Sequence, residues 1–321
     1  MRSIILSLLA ALLCLAGSAG GQQIAPNPNW DYITLNGNGW YNNNFFFNNG
    51  TVFNGGTLTN HGTLSNKAGG TLKNDTGGTL NNDDTLNNNG TLANYGTLNN
   101  NTGGTLKNYT GGTLNNVTGG TLNNNGTLNN VTGGMLNNAG TIDTISGSFT
   151  NNGVLTGAGY INGNVSGSGT IAPGHSAGVF TIDGHLAHSG GGHEIELGGV
   201  FNGGGDNSLT EFDWLDVTGN VELAGVLDVY LINSFQLLAG MSFDILNVGG
   251  HLMGEYDGLP DGGLVGTFSG TDLFINYAGG DGNDVTLYSQ AGGSTVPEPA
   301  AILLALFGLT LLPRRRRRSR A

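Results

Sequence analysis

The chain has 321 residues, 60 of them glycine, with one cysteine and a formal net charge of −12 set against only 10 lysines and arginines. Glycine, asparagine and threonine are poor helix formers, while glycine and asparagine supply the positive-φ turns that join short strands, so a helical protein is excluded. All arginines lie in Arg2 and the C-terminal tail, Lys67, Lys73 and Lys107 are the only lysines, and residues 143–290 contain neither; such a surface cannot neutralise phosphates, which excludes nucleic-acid partners.

In chain order, Met1-Arg2 gives a positive start, residues 4–15 an apolar stretch and Gly17-Ser18-Ala19 a small-residue processing site. This pattern reads as a secretory signal peptide over 1–19, cut between Ala19 and Gly20. Cys14 falls inside it, and Leu12-Leu13 lacks the small residues of a lipoprotein site. The exported chain therefore has no thiol or disulfide chemistry. Residues 20–49 are expected to form an irregular capping segment.

Residues 50–145 repeat the motif Gly-Thr-Leu-x-Asn. Its apolar position recurs at Val52, Leu58, Leu64, Leu72, Leu80, Leu86, Leu92, Leu98, Leu106, Leu114, Leu122, Leu128, Leu136 and Ile142, always six or eight residues apart. Both spacings are even, so a strand of period two keeps every apolar side chain on one face, whereas a helix would scatter them. Asparagine follows nearly every leucine by two residues, from Asn60, Asn66 and Asn74 through Asn108, Asn116 and Asn124 to Asn138. It shares the leucine's face and sits at the turn. Stacked units place leucine over leucine and asparagine over asparagine, and amide ladders satisfy the second column. The expected architecture is a β-solenoid with three units per coil, about 18–24 residues per coil and ~4–5 coils over this region. The triplets Asn89-Gly90-Thr91, Asn116-Val117-Thr118 and Asn130-Val131-Thr132 match the glycosylation pattern, but a repeat built from these residues generates them automatically.

Over 146–290 the repeat degenerates and the strands lengthen. Strands are expected at 179–182, 193–197, 214–217, 226–232, 242–248, 273–277 and 284–288, many with alternating apolar and polar residues. The pieces Ser168-Gly169-Thr170-Ile171-Ala172-Pro173-Gly174, Trp214-Leu215-Asp216-Val217-Thr218-Gly219, Val226-Leu227-Asp228-Val229, Phe243-Asp244-Ile245-Leu246 and Gly258-Leu259-Pro260-Asp261-Gly262 resemble the passenger domains of autotransporter-like β-helix proteins. That resemblance implies a right-handed parallel β-helix ending in a more hydrophobic cap, and a scaffold or adhesin more often than an enzyme. The membrane β-barrel of true autotransporters is missing from the sequence.

Candidate chemistry is sparse. Gly279-Gly280-Asp281-Gly282-Asn283-Asp284 matches one copy of a calcium-binding nonapeptide, with Asp281, Asn283 and Asp284 as the ligands on offer. Such sites need consecutive copies to reach six or more oxygens, which favours a hairpin turn over a calcium site. His185, His188 and His193, with Glu194 and Glu196, are metal-ligand types, but alternation sends His193, Ile195 and Leu197 to one face and both glutamates to the other. Asp213 and Asp216 are the carboxylates a hydrolase would pair, although strand alternation separates them. His175 and Ser176 adjoin without a nucleophile elbow. No cofactor is expected, with calcium the alternative.

The tail carries the most specific signal. Val296, Pro297, Glu298 and Pro299 follow a short linker at 291–295; an apolar run over 300–312 comes next, then Pro313 and Arg314, Arg315, Arg316, Arg317 and Arg318. Prolines keep the first part extended, the run can enter a bilayer, and the arginines halt translocation on the cytoplasmic side. Thirteen apolar residues are short against the ~20 of a stable span, which favours a transient segment. Residues 296–321 resemble the PEP-CTERM sorting signal of Gram-negative bacteria. The resemblance implies recognition and cleavage by an exosortase-type membrane enzyme, with transient inner-membrane insertion and then delivery to the cell surface or extracellular matrix. The expected function is a non-catalytic structural or adhesive protein associated with exopolysaccharide. The alternatives are a polysaccharide-acting β-helix lyase or hydrolase and a calcium-dependent adhesion module.

Overall fold

The computed structural model describes residues 22–24, 32–37, 39–174 and 176–292. Ala19, Gly20, His175, Val296, Pro297, Glu298, Pro299 and the arginines from Arg314 onward lie outside these residues.

Among the described residues the protein is all-β, with one turn of 3-10 helix at Asn207–Leu209. Most strands of the repeat are the tetrad Thr-Leu-x-Asn, as in Thr85–Asn88, with leucine and asparagine buried and the other two outward. Every third strand stacks in parallel and in register, so that Leu86 pairs with Leu64 and Leu106, and Asn88 with Asn66 and Asn108. Three sheets result, of ten, eleven and fourteen strands, each giving one leucine column to a single shared core. Fourteen strands, Thr51–Asn54 to Thr141–Asp143, occupy the repeat, just under five coils at three strands each. Successive asparagines of a column stand 18 residues apart at Asn82 and Asn100 but 24 at Asn100 and Asn124.

That variation comes from the corners. A short corner is one residue and a glycine, as in Asn89-Gly90. A longer one is a four-residue turn, as from Asn101 to Gly104, closed by Gly104 N–H to Asn101 C=O at 2.7 Å. Gly103 there has φ +86°, which a side chain would strain. Gly90 is fixed differently: a Cβ on it would fall 2.3 Å from the Gly70 carbonyl oxygen of the coil below. Even corner lengths preserve the strand face whichever form is used.

The buried asparagines form three ladders. In one, Asn48 donates to Asn66, Asn66 to Asn88, Asn88 to Asn108, Asn108 to Asn130 and Asn130 to Asn151, at 2.7–2.9 Å. The second runs Asn42, Asn60, Asn82, Asn100, Asn124 and ends on the Thr144 hydroxyl. The third runs Asn54, Asn74, Asn94, Asn116, Asn138. The remaining amide proton is spent on backbone carbonyls, as from Asn88 to Thr113 at 2.9 Å. Apart from the Asn54 oxygen at the start of the third ladder, the ladder amides buried at 0 % exposure are thereby paired and the corners locked.

The solenoid begins before Gly50. Trp40–Asn42 and Phe45–Asn48 are strands of the first coil, with Phe46 in the leucine column and Asn42 and Asn48 on the ladders, so 20–49 is not irregular throughout. The third ladder starts at Asn54 because Leu35 precedes it in register; the Asn54 Oδ1 is buried without a partner.

Parallel stacking continues through Trp214–Val217, Val221–Leu223 and Leu252–Gly254. The chain then reverses. Ser242–Val248, Asp284–Ala291, Thr271–Gly279 and Leu264–Phe268 pair antiparallel in that order and close the C-terminal end. Phe243, Ile245, Leu246, Leu273, Ile275, Val285 and Leu287 are buried there, a larger apolar set per strand than the repeat supplies.

Candidate functional site

The glycine-rich turn at 279–284 is a structural joint. Asp284 accepts from Val248 N–H at 2.7 Å, and Asn283 donates to the Val248 and Gly250 carbonyls, pinning the hairpin to the last parallel strands. Burial raises the Asp284 carboxyl above its usual range. Asp281 is exposed at the tip of the turn. Among the described residues no group of three or more His, Cys, Asp or Glu side chains could hold a metal ion.

The histidines and glutamates part as alternation requires. His193, Ile195 and Leu197 are buried inside Gly192–Asn202, while Glu194 and Glu196 face outward. His193 Nδ1 bonds the Tyr256 hydroxyl, its Nε2 has no partner, and desolvation, helped by His188, drives its pKa down to about 3. His185 is elsewhere, accepting Asn220 N–H. His193 is therefore neutral when folded, whereas the unfolded chain protonates it below its ordinary 6.5. Its contribution is full above pH 6.5 and is lost as pH falls toward about 3. Wild type should lose about 2–3 kcal/mol relative to His193→Phe between pH 7 and 4.5. Urea midpoints at the two pH values measure it; parallel pH slopes for both proteins would contradict the burial argument.

Asp213 and Asp216 do not form a catalytic pair. Asp216 is on the outer face and accepts from Asn247 at 2.7 Å. Asp213 is buried and accepts from Gly178 N–H at 2.7 Å and Glu196 N–H at 2.9 Å. Burial outweighs those donors and pushes its pKa up to about 8. Asp213, Glu194, Glu196, Ser176 and Tyr230 line a shallow cavity of about 350 Å³. With both oxygens of Asp213 engaged by backbone, its first role is to tie three chain segments together.

The outer faces differ in a way that leucine periodicity does not announce. On the fourteen-stranded sheet, Thr57, Thr79, Thr97 and Thr121 form one outward file; Asn81, Asn99 and Asn123 form a second, linked at 2.8 Å. The strands Thr57–Asn60, Thr79–Asn82, Thr97–Asn100 and Thr121–Asn124 of this face contain no charged residue. On the ten-stranded sheet, Phe45 and Phe47 lie 6.3 Å apart on one strand, and Lys67 sits 4.6 Å from the Phe47 centroid. On the eleven-stranded sheet the rings instead fall on successive rungs, stepping sideways from Tyr32 to Phe53 and on to Tyr95. Tyr32 and Phe53 are 5.1 Å apart, and Lys73 Nζ lies 5.5 Å from the Phe53 centroid and 4.8 Å from that of Tyr95. Lys73 also pairs with Asp75 at 2.6 Å, which raises its pKa. Tyr32 is 58 % and Tyr95 40 % exposed. Reading the x position of each tetrad as a column would have found Phe53 and Lys73; Tyr95 occupies a corner and needed the fold.

Comparison with protein families and with curated proteins gives no match. The fold and its surfaces are therefore the basis of the functional reading.

Proposed function

We propose that this protein is an exported, non-catalytic structural or adhesive component, sorted through its PEP-CTERM-like tail to the surface or extracellular matrix and associated there with exopolysaccharide. The observation that supports this most is the corner geometry. Corners of two or four residues leave no projecting loops over the repeat, and loops are what build a cleft on a rigid scaffold. What remains is a set of flat faces, suited to lying along a polymer. No resident cofactor belongs to this reading.

Intact-mass measurement on protein from the native matrix tests it. The expected product lacks residues 314–321 and ends close to Pro297, Glu298 and Pro299, and replacing Glu298 leaves unprocessed chain in the inner membrane. Matrix protein that still carries Ala321, or protein found only in the membrane, would contradict the sorting route.

The cavity at Asp213 favours a second reading, a polysaccharide hydrolase, because a carboxyl held protonated near neutral pH beside Glu196 is what a general acid requires. Dye release from labelled polysaccharides, abolished by Asp213→Asn in a variant of unchanged melting temperature, would establish that reading instead.

A further inference from the structure

We infer that Tyr32, Phe53, Lys73, Asp75 and Tyr95 form a binding platform for a neutral, linear polysaccharide lying obliquely across the rungs of one solenoid face. The inference rests on the matrix-scaffold reading and supplies the partner's chemistry.

The geometry is that of a track. Tyr32–Leu35, Thr51–Asn54, Thr71–Asn74 and Thr91–Asn94 are consecutive parallel rungs of one sheet. Phe53 and Lys73 stand in one file, with Tyr32 two positions before it and Tyr95 two positions after it, so with rungs at ~4.8 Å the four side chains run obliquely across four rungs. A ligand that gains from every rung must itself repeat at a comparable interval, as the rings of an extended glycan do. Pyranose rings present C–H faces to aromatic rings and hydroxyls at their edges. Tyr32, Phe53 and Tyr95 supply the apolar surface. The Lys73–Asp75 pair supplies a donor and an acceptor side by side between Phe53 and Tyr95, as recognition of a hydroxyl requires.

Charge decides for a neutral polymer. Asp75 already satisfies Lys73, and the whole chain carries a net charge of −12, so a polyanion is repelled. The rings on the ten-stranded sheet do not make a second track, because the next side chains in the Phe47 file are Ser65 and Asn87.

Affinity electrophoresis of the full chain secreted by its host, through gels containing hydroxyethylcellulose, a β-1,3-glucan, a galactomannan or alginate, tests the platform. At least one neutral glycan is expected to retard wild type, with little dependence on salt. Phe53→Ala and Tyr95→Ala should each weaken retardation about tenfold, the size of an interface hot spot. Phe53→Tyr should restore it and Phe45→Ala should leave it unchanged. Melting temperatures identify any variant that fails to fold, and Tyr95→Ala, at an exposed corner, carries the test if Phe53→Ala does. Retardation by alginate alone, by no neutral glycan, or with equal loss in Phe45→Ala overturns the inference. Protein that resides in the matrix but ignores all three neutral glycans sinks this inference alone, whereas unprocessed protein in the inner membrane sinks the sorting route and leaves the platform standing or falling by the gels.

Discussion

Asn108→Asp is expected to destabilise the solenoid by about 3–5 kcal/mol, although the two side chains differ by one atom type. Asn108 accepts from Asn88 at 2.8 Å and donates to Asn130 at 2.9 Å, and its other amide proton reaches the Met135 carbonyl at 2.8 Å. A carboxylate keeps the first bond and loses the others. It then faces the Asn130 oxygen, acceptor against acceptor, at a site of 0 % exposure. Asn108→Ala should cost less, about 2–3 kcal/mol, because it leaves partners unpaired without burying a charge. Asn115→Asp is the control: Asn115 faces outward, and surface changes of this kind stay within about 0.5 kcal/mol. Urea midpoints measure all three, and equal shifts for Asn108→Asp and Asn115→Asp would show that the ladders do not hold the corners.

Neighbouring positions in one strand should likewise diverge. Leu106 is fully buried between Leu86 and Leu128, and Lys107 is its outward neighbour. Leu106→Asp loses the leucine's transfer and packing energy, about 3–5 kcal/mol, and adds a desolvated carboxylate. Lys107→Asp, between Asn87 and Asn129 on the outer face, should stay within about 1 kcal/mol. Each repeat strand gives the core a single apolar side chain, and each coil contacts only its neighbours, so the damage propagates along the axis. Leu106→Asp should therefore reduce the far-ultraviolet β signal as well as the melting temperature. Equal effects from the two substitutions would mean that the inside and outside of the strand are misassigned.

Even spacing made the repeat legible. A six- or eight-residue step keeps Leu64, Leu72 and Leu80 inside whichever corner is used, and the asparagine two residues on follows by strand geometry alone. The first coil was hidden because Phe46 stands where the repeat has leucine and no Gly-Thr pair introduces it. In the second half the strands were visible as alternation, but the reversal to antiparallel pairing after Ser242–Val248 was not, since alternation carries no information about strand direction. The Asp213 cavity joins Gly178, Glu196 and the start of Trp214–Val217, segments whose proximity depends on the long excursion through Gly192–Asn202. The aromatic track depends on which tetrad stacks on which, and hence on three units per coil; sequence alone places Phe53 and Lys73 twenty residues apart.

Side-chain amide exchange followed by nuclear magnetic resonance addresses the central claim most directly, because a ladder asparagine and an outward asparagine differ only in where the fold puts them. The Nδ2 protons of Asn66, Asn88, Asn108 and Asn130 are buried and bonded to the next rung. They are expected to exchange as slowly as the backbone amides of their own strands, while those of the outward Asn115 exchange at the rate of a free side chain. Ladder amides that exchange as fast as Asn115 would contradict the account.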